Sequence, residues 1–369
     1  MMRNRWFTIL PALLVALTLL WWFLPELFPL WTLTHDTSPT RRSRAFSCVQ
    51  LAAISGKAVD LGGLALGRMN LAGSDLSHLR AVDCDLRHAD LSGCRLDGAD
   101  LSNAQLSAAD LHGTIAIAAI LSNVVAVGMI ADYANFSGAN CTNANFANAS
   151  AREANATRTC FAGANLTRAR LFALQATDAD LTDCKADHVR LANSNLTRAR
   201  LDRMQAHHGG FSEVDLVAAS LRSATINDAN FTGSDLRRAD LRDAHMQRTD
   251  LSEVDASGAN CCQVDLRDAD AHGTNFTAAN LTNACLAGVD LRGCNLRGAN
   301  LRGADLRGAR LGTTMVRIVD RSEADITEPV ERSSDLSTCI GLTQEQLDAA
   351  LGDARTLLPP HLQRPTHWP

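Results

Sequence analysis

The stretch that decides the fold is Ala99-Asp100-Leu101-Ser102-Asn103-Ala104-Gln105-Leu106-Ser107-Ala108-Ala109-Asp110-Leu111. Leucine returns here at every fifth residue, at 101, 106 and 111. Two residues before each leucine stands an alanine, and a polar residue, twice aspartate, stands directly before it. A period of five fits neither the 3.6 residues of a helical turn nor the two of a flat strand. Outward from this segment the phase holds from Leu61 to Val316 without a slip, with leucine, phenylalanine or a small residue at the centre (Phe136, Phe211, Phe231, Phe276, Leu281, Leu311). The small residue two places earlier recurs as Ala139, Ala199, Ala239 and Ala299. Repetition at a short fixed period marks a solenoid. Two inward residues out of five, one outward residue between them, imply a short extended segment followed by a turn, and the Asn, Asp, Gly and Ser elsewhere suit such turns.

The A-(D/N)-L-x-x pattern, as in Ala164-Asn165-Leu166 and Ala299-Asn300-Leu301, resembles the pentapeptide-repeat family. That resemblance implies an all-β fold: a right-handed quadrilateral β-helix with four pentapeptides per coil, the centre and small residues inward, the other three outward. Coils stacked at the inter-strand spacing of about 4.8 Å would make a rod roughly 60 Å long. Stacking every twenty residues sets Phe211 and Phe231 one above the other.

Four segments are expected: an N-terminal anchor over 1–31, a linker and N-terminal cap over 32–55, the β-helix over 56–326, and a C-terminal helix and tail over 327–369. Trp6 to Leu24 is uncharged and rich in Leu, Val and Ala. About 20 apolar residues in a helix span a bilayer. Trp21, Trp22 and Trp31 lie where an interfacial aromatic belt falls. Phe28-Pro29-Leu30-Trp31 offers no small-x-small cleavage site, which favours an uncleaved single-pass anchor in the cell (inner) membrane. Arg3 and Arg5 precede the segment and Arg41, Arg42 and Arg44 follow it, so positive charge does not set its orientation.

The composition is 46% hydrophobic but only 5% aromatic, with a formal net charge of −5 from interleaved acids and bases. Such a balance predicts neither a polybasic nucleic-acid binder nor an acidic tail. Eleven cysteines suggest a disulfide framework, yet the number is odd and no short paired zinc spacing occurs. Cys141 and Cys261 fall at centres, and Cys84, Cys94, Cys184 and Cys294 at the small inward position, where a thiol packs as a small hydrophobe. Free thiols lean toward a reducing compartment and a cytoplasmic rod.

Two departures from the pattern are candidate interaction surfaces. At Ile115, Ile120, Val125 and Ile130 the expected Asp or Asn before the centre is replaced by an apolar residue. A bend or covering loop, a dimer or membrane contact, and a second spanning helix all remain open readings, although the unbroken phase argues against the last. Arg292, Arg297, Arg302 and Arg307 share one outward position in successive repeats. They read as a terminal collar that blocks end-to-end growth, or as a site for an acidic partner. Asp215, Asp235 and Asp255 line one side and Asp250, Asp270 and Asp290 a neighbouring one, as surface ion pairs rather than a calcium site.

Gly341-Leu342-Thr343-Gln344-Glu345-Gln346-Leu347 begins a short helix: Thr343 and Gln346 make a capping box, Leu342 and Leu347 a staple, and Gly352 ends it. The tail to Pro369 is similar to that of many bacterial pentapeptide-repeat proteins and is expected to cap the last coil.

No H-E-x-x-H, nucleophile elbow, Walker loop or dinucleotide fingerprint occurs, and His207-His208 lacks converging further ligands. No cofactor, metal or catalytic residue is expected, nor a nucleic-acid partner. The expected function is a non-enzymatic, membrane-tethered scaffold whose flat sides dock an unknown protein or a second copy. The alternative is a DNA mimic acting on a topoisomerase, as the gyrase-protecting members of the family do. A translocated effector is a further possibility that the anchor disfavours.

Overall fold

The computed structural model describes residues 60–316 and 330–369. The anchor over 1–31, the boundaries near 31, 55 and 326, and the brief return of the phase at Ala324-Asp325-Ile326 lie outside the described residues. Among the described residues, no helix is long and apolar enough to cross a membrane.

Parallel bridges join each residue before a centre to its counterpart twenty residues on, from Asp60↔Arg80 to Asp290↔Arg310. The chain is therefore a four-sided β-helix with twenty residues per coil, as the period of five implies. The centre and small positions are buried almost throughout, and Phe211 and Phe231 are fully buried. Their rings stack 4.5 Å apart with 1° between planes.

In a repeat that carries the motif Asp or Asn, every amide has an identifiable acceptor, as buried or semi-buried backbone requires. Around Leu101, the Asp100 N–H donates to Leu79 O one coil back (2.8 Å), and those of Leu101 and Asn103 donate to Ile120 O (2.8 Å) and Ser122 O (2.9 Å) one coil on. The Ala104 N–H closes the turn on Leu101 O at 3.0 Å. That leaves the amide of Ser102, and the side chain of Asp100 accepts it at 3.0 Å. The Asp or Asn of the motif is thus the acceptor for the one amide that the ladders leave over, an Asx turn.

The turn itself has type II character, with a positive φ at its third residue. From Gly63 to Gly308 every residue two places after a centre has φ between 53° and 72°. Most of these are not glycine: Asn103 has φ 61° and Ala218 φ 56°. No Val, Ile or Thr occupies the position, in keeping with the steric cost of a branched side chain in left-handed backbone.

Polar residues at the small inward position hydrogen-bond a carbonyl of the preceding coil. Cys94 Sγ donates to Leu71 O (2.9 Å), Thr114 Oγ1 to Leu91 O (2.8 Å) and Ser194 Oγ to Leu171 O (2.9 Å). The ten described cysteines are all free. Burial pushes the Cys84 and Cys94 thiols up to about 11 and those of Cys184, Cys261 and Cys339 to about 12.

The sequence phase runs to Val316, but the backbone leaves the coil at Gly312. Strand β1, Thr313–Val316, pairs antiparallel with β2, Val330–Ser333, in the register Thr313↔Ser333 to Val316↔Val330. The coil then resumes. Asp335 bridges Asn295 and Ile340 bridges Asn300, with Leu336 and Cys339 buried in the inward places.

The C-terminal helix, α1, spans Gln344–Asp348 and carries the expected capping box between Thr343 and Gln346. Gly352 does not end it; the C-cap is Ala349. Gly352 serves another purpose, since a Cβ there would lie 2.5 Å from the Trp368 ring. Trp368 Nε1 donates to Ala350 O (2.9 Å), and Gln346 Nε2 donates to Ala304 O (2.6 Å) on the last coil. Together α1 and the tail occupy the open edge that the final coil would otherwise present.

Candidate interaction surfaces

The interior is filled by side chains of the repeat itself, so the outward residues carry whatever the rod does. Most outward charges are neutralised in place. Arg237 meets Asp235 at 2.7 Å, Arg242 meets Asp240 at 2.8 Å, and Arg198, Arg203 and Arg248 each reach an Asp one coil below at 2.7 Å. Exposed pairs of this kind contribute little to stability. They do flatten the surface potential.

The apolar residues at 115–130 form a regular coil, which excludes a second spanning helix there. Ile115 bridges Arg95 and Asn135, and Ile130 bridges Asp110 and Ser150. No described segment covers them: Ile115 and Ile120 are each 39% exposed and Ile130 46%. Val125 is half-buried. Lying one on each side of the rod, the four make a belt a single coil high. Two further exposed residues join it, Ile117 within the same run and Tyr133 three residues after Ile130. Both sit at turn positions that the reading of the residue before each centre passed over. Tyr133 is held by its hydroxyl on Glu153 (3.2 Å) and by the His112 ring edge.

The belt has a structural cost. Among the described residues it is the one complete coil without an Asx residue before any centre. The Ile117 amide borrows Asp97 Oδ1 from the coil below, at 3.2 Å. The amides of Ser122, Val127 and Asp132 have no such Asx acceptor within their own repeats.

The four arginines are not at an open end. Arg292 is bound to Asp290 at 2.6 Å, Arg307 to Asp305 at 2.6 Å, and Arg297 lies 3.8 Å from Asp335. Gly341 rests against the backbone of Arg302. The end of the rod is closed above them by 334–340, α1 and the tail, so the arginines flank the cap instead of forming it. Burial disfavours the Asp290 carboxylate, but the hydrogen bonds and charge of Arg292 outweigh this and hold it below the usual range.

The aspartates stack as expected: Asp215↔Asp235↔Asp255 and Asp250↔Asp270↔Asp290 are consecutive bridges. Neither ladder carries more than three carboxylates in succession. His207 donates its amide to Asp187 Oδ1 (2.9 Å), while the His208 ring stacks on His188 at 5.1 Å. Among the described residues no three His, Cys, Asp or Glu side chains converge on one point.

Eight copies of the family description "pentapeptide repeats" match the chain, over residues 57–93, 84–123, 134–171, 177–207, 211–243, 244–283 and 274–312. Comparison with curated proteins returns no match. Among solved structures, the chain is similar to HetL, a pentapeptide repeat protein involved in heterocyst differentiation regulation from the cyanobacterium Nostoc sp. strain PCC 7120. Identity is 24% over 70% of this chain and 94% of that one, with a TM-score of 0.25. It is also similar to Rfr23 from the cyanobacterium Cyanothece 51142, at 37% identity over 24% of this chain and 58% of that one, with a TM-score of 0.22. QnrB1, a plasmid-mediated fluoroquinolone resistance protein, matches at 18% identity over 57% of this chain and 87% of its own, with a TM-score of 0.24.

Proposed function

Because the chain belongs to the pentapeptide-repeat family, we propose that it is a non-enzymatic scaffold, tied to the inner membrane by residues 1–31, whose rod docks a protein partner through the apolar belt. The observation that carries this reading is the coil 115–130. A repeat that elsewhere places an Asp or Asn before most centres, and never omits it in four successive repeats, here gives it up four times running, for Ile115, Ile120, Val125 and Ile130. Departures from a locally consistent pattern that are compensated elsewhere are expected where function overrides stability. Exposed contiguous apolar surface is itself a mark of a contact site.

Tethering rests on the span Trp6 to Leu24 and its flanking tryptophans. The ten free thiols favour a rod on the cytoplasmic side. A DNA mimic needs a side that stays acidic over the length of a duplex contact, and the aspartate ladders are short and largely paired with arginine or histidine.

Tethering is tested by membrane fractionation of the full chain and of a chain lacking 1–31, with a membrane-impermeant thiol reagent on single cysteines placed at Thr37, Ser77 and Ser333. The full chain stays with membranes after a carbonate wash, the shortened one does not, and Ser77 and Ser333 report the same side. Release of the full chain by carbonate would end the tethered reading.

A further inference from the structure

One side of the rod carries an ordered series of charges that the ion pairs described above do not absorb. Arg170, Arg190, Gly210, Asn230, Asp250 and Asp270 are consecutive bridge partners on one ladder, each a single coil beyond the last. Arg170 and Arg190 are exposed and, among the described residues, make no ion pair, in contrast to the paired arginines on the neighbouring coils. At the other end, Asp250 accepts from Ser252 and Thr232 and Asp270 pairs with His272; among the described residues neither forms a hydrogen bond or ion pair with an arginine or lysine.

The order of these residues is antisymmetric about the point midway between Gly210 and Asn230. Two bases lie two and three positions to one side of Asn230, and two acids lie two and three positions to the other side of Gly210. A two-fold axis through that midpoint, lying in the plane of the side and perpendicular to the rod axis, sets Arg190 against Asp250 of a second copy and Arg170 against its Asp270, and the reverse pairs form at the same time. The register is automatic, because both ladders share the coil spacing of about 4.8 Å. The arginine half of this side is low: Arg170, Arg190 and Gly210 border a shallow recess of 640 Å³ that Arg168, Phe172 and His188 also line. Beside the midpoint Gly210 carries no side chain to hold two copies apart.

We infer that two copies of this chain associate side to side and antiparallel across the ladder 170–270, with Arg170 and Arg190 of each facing Asp270 and Asp250 of the other. Such an interface is isologous and closed, so it yields a dimer and no filament. It rests on the reading of the rod as an interaction scaffold and uses none of the belt residues, which leaves the belt of each copy free for a different partner.

The test is the dissociation constant of the full chain in detergent micelles, by sedimentation equilibrium. It is measured for the wild type, for R170D/R190D, for D250R/D270R and for an equimolar mixture of the two variants, each shown folded by its thermal transition. The wild type dimerises. Each double variant alone sets like charges opposite each other and dimerises at least about tenfold more weakly, and the mixture, in which every facing pair is opposite in sign again, recovers to within about threefold. A wild type that stays monomeric, variants that dimerise like the wild type, or a mixture that does not recover would each overturn the pairing. None of these outcomes bears on belt docking or tethering, since the belt and residues 1–31 are unchanged throughout.

Discussion

Asp100 Oδ1 lies 3.0 Å from the backbone nitrogen of Ser102 and takes the one amide that the coil-to-coil ladders leave unpaired. The same contact recurs at Asn135 with Ser137 and at Asp215 with Val217, both at 3.0 Å. It gives the polar residue of the motif a defined physical task.

Asp100→Ala should therefore cost about 1 kcal/mol, while Asp100→Asn, which keeps Oδ1, should cost less than half of that. The converse change belongs to the belt: Ile120→Asn supplies an acceptor for the Ser122 amide and should gain about 0.5 to 1 kcal/mol. Urea unfolding of the three variants checks both signs. A belt selected for contact should lose partner binding as it gains stability.

Ala218, at φ 56°, sits in the left-handed turn column. Left-handed backbone costs a non-glycine residue roughly 1–2 kcal/mol, and glycine gives back about half in chain entropy. Ala218→Gly should be neutral to stabilising by up to about 1 kcal/mol. Ala218→Val should lower the thermal transition clearly, because a branched side chain is a true outlier there.

The stacked pair Phe211 and Phe231 is the bulkiest fully buried element of the rod. Phe211→Ala should cost about 3–5 kcal/mol. Phe211→Leu should cost much less, and calorimetry separates the two.

Thiol labelling of the native chain at pH 8 should modify Cys160, Cys262 and Cys285, which are partly exposed. Cys84, Cys94, Cys141, Cys184, Cys261, Cys294 and Cys339 are buried and should be spared until denaturant is added. Mass spectrometry of the labelled peptides reads this directly.

Hydrogen bonds from Arg267, with smaller help from Gln247, hold Asp265 down to about 2. A carboxylate with a lowered folded pKa contributes stability that is complete above its ordinary value near 4 and is lost as pH falls through 2. Asp265→Asn should accordingly reduce the urea midpoint at pH 7 and bring the variant and wild type together near pH 2.

The coil was legible from the sequence because a period of five, two inward residues per repeat and twenty-residue stacking follow from side-chain pattern alone; Phe211 over Phe231 is the plainest instance. The capping box of Thr343 and Gln346 was legible for the same reason, being local. The exit at Gly312 was not: Val316 still falls on the five-residue count, and only the backbone shows that Thr313–Val316 turns out to pair with Val330–Ser333. Gly352 looked like a helix stop, but its lack of a side chain serves contact with Trp368, a tertiary fact. The left-handed column left a trace in the sequence, the absence of Val, Ile and Thr two places after each centre from Leu61 to Leu306. That trace is found by asking what is missing, whereas the period is found by asking what recurs. For the candidate surfaces, the sequence marked Ile115, Ile120, Val125 and Ile130 but could not say whether they were covered, and it placed the arginines at an end that the tail in fact encloses.

The most direct test of the belt as a docking surface is site-specific photo-crosslinking in the full-length, membrane-bound chain, with the crosslinker placed at Ile120, at Ile130 and, as a control, at Ser77. The account predicts a discrete adduct of one size from both belt positions, none from Ser77, and loss of the adduct when Ile115 and Ile117 are changed to Asp. Equal labelling at all three positions, or no adduct from the belt in membranes where the rod is folded, would contradict it.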